Sequence, residues 1–477
     1  MDVLRLPVVG ALLHWRHVRR AFQLVLLAVA AVVVLHGLLG PQIGPRNLAT
    51  VLTSIHWRGL LVLGVLAAGN LFCASCPMVL VRDAGRRLVP PRFSFPHQLR
   101  RKWIAAGLLV LVLFSYELFA VWERPAATAW IVLSYFVLAL VVDLLFKGAS
   151  FCKHVCPIGQ FNFVASTIAP AELKVRDSGT CHECRTYDCI KGRKGRKSDV
   201  HPLQVVQRGC ELGLFLPGKV GNLDCTLCLD CVHACPHDNI GLVTRVPGLE
   251  LLDLRRRSGI GRLAERPDLA VLAVVFTFAA LLNAFVMTAP AVAFERGLAA
   301  LMPLQSEAGA LGLLFVIGLG VAPALILLAA AGFTAAAAGG ATRSLGATAV
   351  QYAPALVPFG LGVWLAHYGF HLFTGILTVV PVTQSAVIDW LGRPALGEPV
   401  WRWAGMPPGL VYPLQLGFVL LGACGSMGLV QAITARDYPG TRQLASVPWL
   451  AVIVMLGAAA LWILGQPMEM RGLGGIG

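Results

Sequence analysis

The chain has 477 residues, of which 57% are hydrophobic and only 13% are charged. Ordinary soluble domains carry about a quarter charged residues, so this composition excludes a soluble protein of the usual kind. The formal charge of +15 is uneven along the chain. The distribution of this charge over the loops indicates the topology of a membrane protein and does not predict nucleic acid as a partner.

Apolar blocks of about 20 residues, the length that crosses a bilayer, recur along the sequence. They predict nine membrane spans at about 21–40, 59–81, 103–122, 128–147, 269–292, 309–333, 350–379, 411–431 and 448–466. The length of the seventh span, with Pro354 and Pro358, predicts that it is kinked, tilted or partly extramembrane. The first span follows basic residues but is longer than a signal-peptide core, so we interpret it as an uncleaved anchor.

Lys and Arg residues are abundant in every second loop. The rich segments hold Arg5, Arg16, Arg19 and Arg20 before the first span, and Arg82, Arg86, Arg87, Arg92, Arg100, Arg101 and Lys102 after the second. The poor segments hold mainly Arg46, Arg58, Arg124, Arg296, Arg393 and Arg402. This positive-inside pattern predicts a multi-pass protein of a bacterial cytoplasmic (inner) membrane. It places the N-terminus and residues 148–268 in the cytoplasm, and nine spans then leave the C-terminus outside.

The two pairs of spans in residues 1–147 look like a repeat. One pair ends in Phe72-Cys73-Ala-Ser-Cys76-Pro77, and the next ends in Phe151-Cys152-Lys-His-Val-Cys156-Pro157. Parallel repeats are usually related by an axis along the membrane normal, which would bring the two Cys-Pro segments together. Coincidence is the alternative.

The strongest motif is Cys225-Thr-Leu-Cys228-Leu-Asp-Cys231-Val-His-Ala-Cys235-Pro236. This is the bacterial ferredoxin run, in which three thiolates hold one cubane and the fourth belongs to a neighbouring cluster. A zinc site is the alternative, because zinc also takes Cys pairs.

A second set of cysteines lies upstream, at Cys181, Cys184, Cys189 and Cys210. The crossed rule of two-cluster ferredoxins assigns Cys181, Cys184, Cys189 and Cys235 to one 4Fe–4S cluster, and Cys210, Cys225, Cys228 and Cys231 to the other. For Cys210 the alternative is a buried free thiol. We therefore predict a mainly α fold: a polytopic membrane helix bundle (1–147 and 269–477) with an inserted cytoplasmic α+β ferredoxin-like domain (148–268).

The four cysteines at the span ends, Cys73, Cys76, Cys152 and Cys156, have three interpretations. They hold a third iron–sulfur centre, form redox-active thiol pairs, or are small buried residues. The basic segment 191–197 is either a docking patch for an acidic redox partner or anionic lipid, or a solvated loop.

Histidines mark the C-terminal spans and the first span. His367 and His371 lie one turn apart on one helix face, and His36 is expected at a similar depth. Such residues hydrogen-bond a quinone, ligate a haem, bind a metal, or simply bond a neighbouring helix. Asp143 and Glu117 are candidates for proton movement or interfacial residues, and Cys424 suits small-residue helix packing.

The Cys-Pro motifs at the ends of two spans, together with the ferredoxin run, make the chain resemble the NapH/NosR-type membrane polyferredoxins. The matching residues are Cys152, Cys156 and Pro157, with Cys225 to Pro236, over about residues 20–240. Cys73, Cys76 and Pro77 match with one residue fewer, and the five C-terminal spans lie outside the resemblance. It implies electron transfer at the membrane, often linked to quinone.

The predicted function is electron transfer between a cytoplasmic or quinone donor and a respiratory or photosynthetic partner protein. The chain is expected to be a component rather than a self-contained enzyme, with quinone oxidoreductase activity left open. The alternative functions are assembly or maturation of a respiratory complex, and redox sensing. The expected partners are membrane lipid, a redox partner protein and quinone.

Overall fold

The computed structural model describes residues 1–194, 205–301, 306–340 and 343–469. The chain forms two compact units, each built from separate stretches. Unit 1 comprises Met1–Ala28, Gly64–Ala105 and Phe136–Asp268, and unit 2 comprises Val29–Leu63, Ala106–Tyr135 and Leu269–Gly477.

Eight helices in the described residues are long and apolar enough to cross a membrane. They are Val18–Leu39, Leu48–Ala68, Pro125–Leu145, Pro267–Phe285, Glu307–Ala337, Leu345–Gly375, Pro408–Asp437 and Arg442–Leu464. A shorter apolar helix, Trp103–Leu118, takes the place of the third predicted span, and we number the spans one to nine with it included. The predicted mainly α, polytopic membrane fold is confirmed.

The second span differs from its prediction. It covers Leu48–Ala68 instead of 59–81, so Arg58, which was assigned to a loop, is a residue of the span. The span ends at Gly69, whose φ of +82° does not continue a helix. Its first part was overlooked because polar residues interrupt the apolar run.

Three wide π turns and one 3₁₀ turn interrupt longer helices or lead into them. The π turns are Val51–Trp57, Phe151–Val155 and Ile317–Val321, and the 3₁₀ turn Ala353–Leu356 lies at the prolines of span seven. The remaining α-helices are Pro7–His14, Leu71–Ala74, Met78–Leu88, Pro157–Ala165, Ser178–Glu183, Asp188–Lys191, Asp230–Ala234, Ala289–Leu301 and Val379–Leu391. Further 3₁₀ turns are Val3–Arg5, Gly44–Arg46, His97–Leu99, Val121–Glu123, Ser166–Ile168, Leu216–Gly218, Leu249–Leu252 and Leu263–Glu265.

Unit 1 contains two small antiparallel strand pairs. Strand β1 (Ala171–Val175) pairs with β4 (Ile240–Thr244), with Leu173 opposite Leu242. The short strands β2 (Arg193–Lys194) and β3 (Val205–Gln207) form the other pair. The N-terminus joins the first pair, because the Leu242 backbone N–H donates to Asp2 at 3.1 Å. The first residues of the chain are therefore fixed to the cysteine-rich segment.

A buried ion network lies behind the cysteine loops of unit 1. Glu250, 5% exposed, accepts hydrogen bonds from Arg257 at 3.3 Å, from the Asn222 backbone at 2.6 Å, and from Arg245. Asn222 in turn accepts from the backbone N–H of Cys225 at 2.9 Å. The carboxylate thus holds the start of the ferredoxin run in place.

In unit 2, spans seven and eight cross at glycines. A Cβ on Gly362 would lie 2.4 Å from the Phe418 carbonyl oxygen, and one on Gly422 would lie 2.6 Å from the Pro358 oxygen. Small residues allow this close approach. Cys424 is exposed beside this contact.

Candidate metal centres

The four cysteines that the crossed rule assigns to the cluster of the ferredoxin run surround one cavity. Cys210, Cys225, Cys228 and Cys231 line a space of about 330 Å³ together with apolar side chains that include Leu214. Cys225 and Cys231 are 8% and 6% exposed. The structure therefore brings Cys210, the distant member, to the other three. Their role as ligands stays a prediction.

The backbone of the ferredoxin run is wound unusually tightly. Asp224, Leu227 and Leu229 all have positive φ, at 61°, 52° and 62°. A non-glycine residue with positive φ is uncommon, and such residues cluster where a loop must hold a ligand. Of six such residues in the described part of the chain, five lie in the cysteine loops, including Tyr187 and Asp238.

The other predicted set lines a second cavity. Cys181, Cys184, Cys189 and Cys235 surround about 320 Å³. Asn239 ties this group together, because its side-chain nitrogen donates to Cys181 Sγ at 3.3 Å and its backbone N–H donates to Cys235 Sγ at 3.4 Å. Hydrogen bonds to sulfur are a recognised means of tuning an iron–sulfur cluster.

The two groups of thiols suit a cluster that neutralises them. Burial raises the pKa of the Cys228 and Cys231 thiols, and burial with the neighbouring thiols raises the pKa of Cys189 to about 11. Metal ligation requires the deprotonated thiolate. A bound cation would therefore have to supply the free energy that deprotonates these side chains.

A single metal ion needs a tighter grouping of side chains. Within the described residues, no three His, Cys, Asp or Glu side chains are close enough to hold one ion. Zinc holds each sulfur at about 2.3 Å. The thiolates of a cubane instead bind separate iron atoms and stand further apart.

The four span-end cysteines also come together. The Cys156 thiol lies within electrostatic range of Cys152, Cys73 and Cys76, and Asn162 donates to Cys73 Sγ at 3.5 Å. A proline lies at the start of each following helix. Pro77 immediately precedes Met78–Leu88, and Pro157 is the first residue of Pro157–Ala165. The Cys-Pro dipeptides therefore join two helices, since proline suits the first helical position.

Side-chain clamps hold the Cys73–Cys76 segment against the ferredoxin run. Asn70 donates to the Cys225 carbonyl at 3.2 Å and accepts from the Cys73 N–H at 3.4 Å. Arg19 donates to the Ala74 carbonyl at 3.1 Å and forms an ion pair with Asp230. The guanidinium lies within electrostatic range of the Cys76 and Cys228 thiols.

A third clamp holds the Cys152–Cys156 turn. The Lys102 ammonium, almost fully buried, bonds the Asp224 carboxylate at 2.6 Å and the Lys153 carbonyl at 2.9 Å. Lys153 itself donates to the Leu212 carbonyl, two residues from Cys210. The span-end cysteines and the Cys210 cavity are thus joined by short polar links. Sequence reasoning missed these clamps because their members are far apart in the chain.

The predicted histidines fall into two places in unit 2. His36 accepts from the Leu48 N–H at 3.1 Å and lies 3.5 Å from the Asp389 carboxylate. His367 and His371 lie elsewhere, with ring centroids 5.0 Å apart. Of the two acids considered for proton movement, Asp143 accepts from the Phe151 N–H at 2.9 Å, and Glu117 accepts from Asn283 at 2.9 Å. Residues 195–197 of the basic segment lie outside the described residues.

Comparison with known proteins identifies relatives for part of the chain. The chain is 30% identical over 186 residues to the regulatory protein NosR of Pseudomonas aeruginosa, which is 34% of this chain and 23% of that protein. It is 28% identical over 198 residues to the ferredoxin-type protein NapH of Escherichia coli, which is 39% of this chain and 65% of that protein. Its curated homologues include NosR and NapH proteins.

The predicted resemblance to NapH/NosR-type proteins is confirmed at these low identities and partial coverage. The chain spans 23% and 30% of the two matched NosR proteins. No protein-family model matches it, and no solved structure matches it. Ferredoxin-type homologues imply iron–sulfur clusters, and the apolar helices make this a multi-pass membrane protein.

Proposed function

We propose that this chain is a membrane-bound electron carrier that holds two 4Fe–4S clusters in unit 1. The grouping of eight cysteines around two cavities, four to each, carries this proposal. The name of the NapH relatives, ferredoxin-type proteins, supports it. When bound, such clusters take up and release single electrons at potentials between roughly −700 and +450 mV.

The residues of the chain have separate tasks in this proposal. Cys181, Cys184, Cys189 and Cys235 hold one cluster, and Cys210, Cys225, Cys228 and Cys231 hold the other. The left-handed residues lie within the cysteine loops, and Asn239 donates to two of the sulfurs. Asn70, Arg19 and Lys102 position the span-end cysteines next to the cavity of Cys210, Cys225, Cys228 and Cys231.

We extend the proposal to a third iron–sulfur centre held by Cys73, Cys76, Cys152 and Cys156. The mutual electrostatic range of these half-buried thiols supports it. Thiolates this close repel one another unless a cation neutralises them. Such a centre would continue the electron path toward the spans.

The protein is proposed to lie in a bacterial cytoplasmic membrane with its N-terminus and cysteine loops in the cytoplasm. The binding of Asp2 to Leu242 supports a common side for both. The donor is a cytoplasmic protein or quinone, and the acceptor belongs to a respiratory or photosynthetic system. Reporter fusions near residue 200 and at the C-terminus test this orientation, and opposite sides are expected.

Regulation is the second candidate function, because the NosR relatives are named regulatory proteins. A carrier passes electrons on repeatedly, whereas a sensor changes redox state once per signal. Repeated reoxidation of the dithionite-reduced protein by an added acceptor would favour the carrier.

Iron counting on the purified full chain tests the clusters. We expect about eight iron atoms from the two ferredoxin clusters, and more with a third centre. Cys228→Ser should remove about half of the ferredoxin signal in electron paramagnetic resonance. Cys156→Ser should lower total iron while both ferredoxin signals survive.

Cys424→Ser is the matched control, since Cys424 is exposed and outside the three groups; its iron content should equal that of wild type. Near-zero iron with stoichiometric zinc would refute the ferredoxin assignment. Unchanged iron in Cys156→Ser, with readily alkylated thiols at all four span-end positions, would refute the third centre alone.

A further inference from the structure

A partly exposed arginine lies at the middle of span two, within unit 2. Arg58 is the eleventh residue of the 21-residue helix Leu48–Ala68 and directly follows the π turn Val51–Trp57. Ionisable residues at this depth are costly and are functional candidates. Wide π turns are frequent at functional sites as well.

The Arg58 guanidinium is surrounded by aromatic rings. It lies 3.7 Å from the centre of the Tyr116 ring and 5.2 Å from that of Tyr368. With the residues that the structure describes, it makes neither a hydrogen bond nor an ion pair. Its five N–H donors therefore lack an acceptor among these residues, and the hydrocarbon interior of a bilayer offers none in their place.

Two imidazoles in the same place also lack partners. Nε2 of His367 and Nε2 of His371 are buried without a hydrogen-bond partner among the described residues, and His367 is only 4% exposed. Both rings lie within electrostatic range of Arg58. Spans two and seven are held together here, because a Cβ on Gly59 would lie 3.0 Å from the Tyr368 carbonyl oxygen.

We propose that Arg58, His367 and His371 bind the carbonyl oxygens of a quinone head group. Hydrogen-bond donors that lack acceptors call for a ligand rich in acceptor oxygens, and a site within the spans calls for a lipid-soluble one. The Tyr116 and Tyr368 rings provide flat apolar walls. The inference rests on the proposed electron-carrier function for its purpose, but the binding itself does not depend on the clusters.

Charge distinguishes a quinone from the other ligands of such side chains. The positive charge of Arg58 opposes a metal cation or haem iron between the two imidazoles. The Glu117 carboxyl, within electrostatic range of Arg58, disfavours a lipid phosphate, since like charges repel. A neutral molecule with carbonyl acceptors satisfies both conditions.

The binding test uses the full chain in nanodiscs of phosphatidylcholine without quinone. An azido-ubiquinone is photo-crosslinked and mapped by peptide mass spectrometry, and decylubiquinone competes for the site. Labelling is expected on peptides from 48–68 and 357–375. Arg58→Leu and His371→Phe should each weaken the competition at least about tenfold, and Arg58→Lys should retain part of it.

Arg46→Leu is the matched control, because Arg46 also lies over an aromatic ring, that of Trp401 at 5.2 Å, but is exposed. It should bind decylubiquinone like wild type. Unchanged cluster absorbance shows that each variant has folded. Labelling elsewhere, or wild-type competition in Arg58→Leu, would overturn the site.

A tightly held phospholipid that is lost only in Arg58→Leu, without quinone binding, would also overturn it and assign the donors to a lipid phosphate. Iron content is measured on the same samples. Quinone binding by protein that lacks iron would support this site and refute the proposed function. Iron in protein that does not bind quinone would refute this site and leave the proposed function intact.

Discussion

Charged side chains inside the two units are paired differently. In unit 1 the buried Glu250 carboxylate receives hydrogen bonds from Arg257, Arg245 and two backbone amides. In unit 2 the Arg58 guanidinium is surrounded by aromatic rings and has no acceptor in the described residues. Charges that are fully paired stabilise one arrangement of the chain, whereas an unpaired one indicates a place where a ligand completes the set.

Removal of the Glu250 carboxylate should have the largest effect on stability. Glu250→Ala leaves Arg257 buried without its partner, and breaking a buried pair costs about 3–5 kcal/mol. The free energy of unfolding can be followed through the loss of cluster absorbance in denaturant.

Glu265→Ala is the control for this comparison. The Glu265–Arg262 pair is exposed on both sides, and such pairs contribute about 0–1 kcal/mol. Equal losses in the two variants would contradict the view that the buried network supports the ferredoxin run.

An intermediate effect is expected for the contact that fixes the N-terminus. Burial alone would raise the pKa of Asp2, but the hydrogen bond and charge of Arg176, with two backbone N–H groups, lower it below 3.8. A lowered pKa stabilises the fold above the ordinary value, and this stabilisation is lost as the pH falls through the folded pKa.

Asp2→Asn should therefore cost about 1.5–3 kcal/mol at pH 7, the usual contribution of hydrogen bonds to a charged group. The melting temperature measured from pH 6 to pH 3 should fall less steeply in this variant than in wild type. Parallel curves would show that the carboxylate does not titrate with folding.

The smallest effect should come from unit 2. Arg58→Met removes a partly exposed cation that has no acceptor among the described residues, so the loss of ring contacts is offset by the relief of an uncompensated charge. We expect the free energy of unfolding to change by less than about 1 kcal/mol. Arg257→Met in unit 1 serves as the comparison and should lose several kcal/mol. A similar loss for both would assign Arg58 a structural role.

The local part of the site was predictable from the sequence, and the tertiary part was not. The spacing of Cys225, Cys228 and Cys231 determines a short loop, so their common cavity could be foreseen. The approach of Cys210, which twenty residues separate from Cys189, followed only from the crossed rule of two-cluster ferredoxins. The clamps by Asn70, Arg19 and Lys102 depend on the packing of distant segments, which no local pattern encodes.

Arg58 was misassigned for a physical reason. The part of span two before it contains Thr50, Thr53 and His56, which a search for apolar runs rejects. Thr53 and His56 bond backbone carbonyls of their own helix, those of Ala49 at 2.6 Å and Val51 at 3.1 Å, and Thr50 bonds the Asn47 carbonyl just before the helix at 2.9 Å. Polar groups satisfied in this way are compatible with a span, so apolar content alone understated its length.

The left-handed residues of the cysteine loops have a consequence for biosynthesis. Each of the five costs about 1–2 kcal/mol, and together they approach the whole stability of a typical domain, about 5–15 kcal/mol. A newly made chain without iron is therefore expected to leave these loops open while its spans are already inserted. On the proposed function, iron–sulfur delivery is the step that closes the cysteine loops of unit 1.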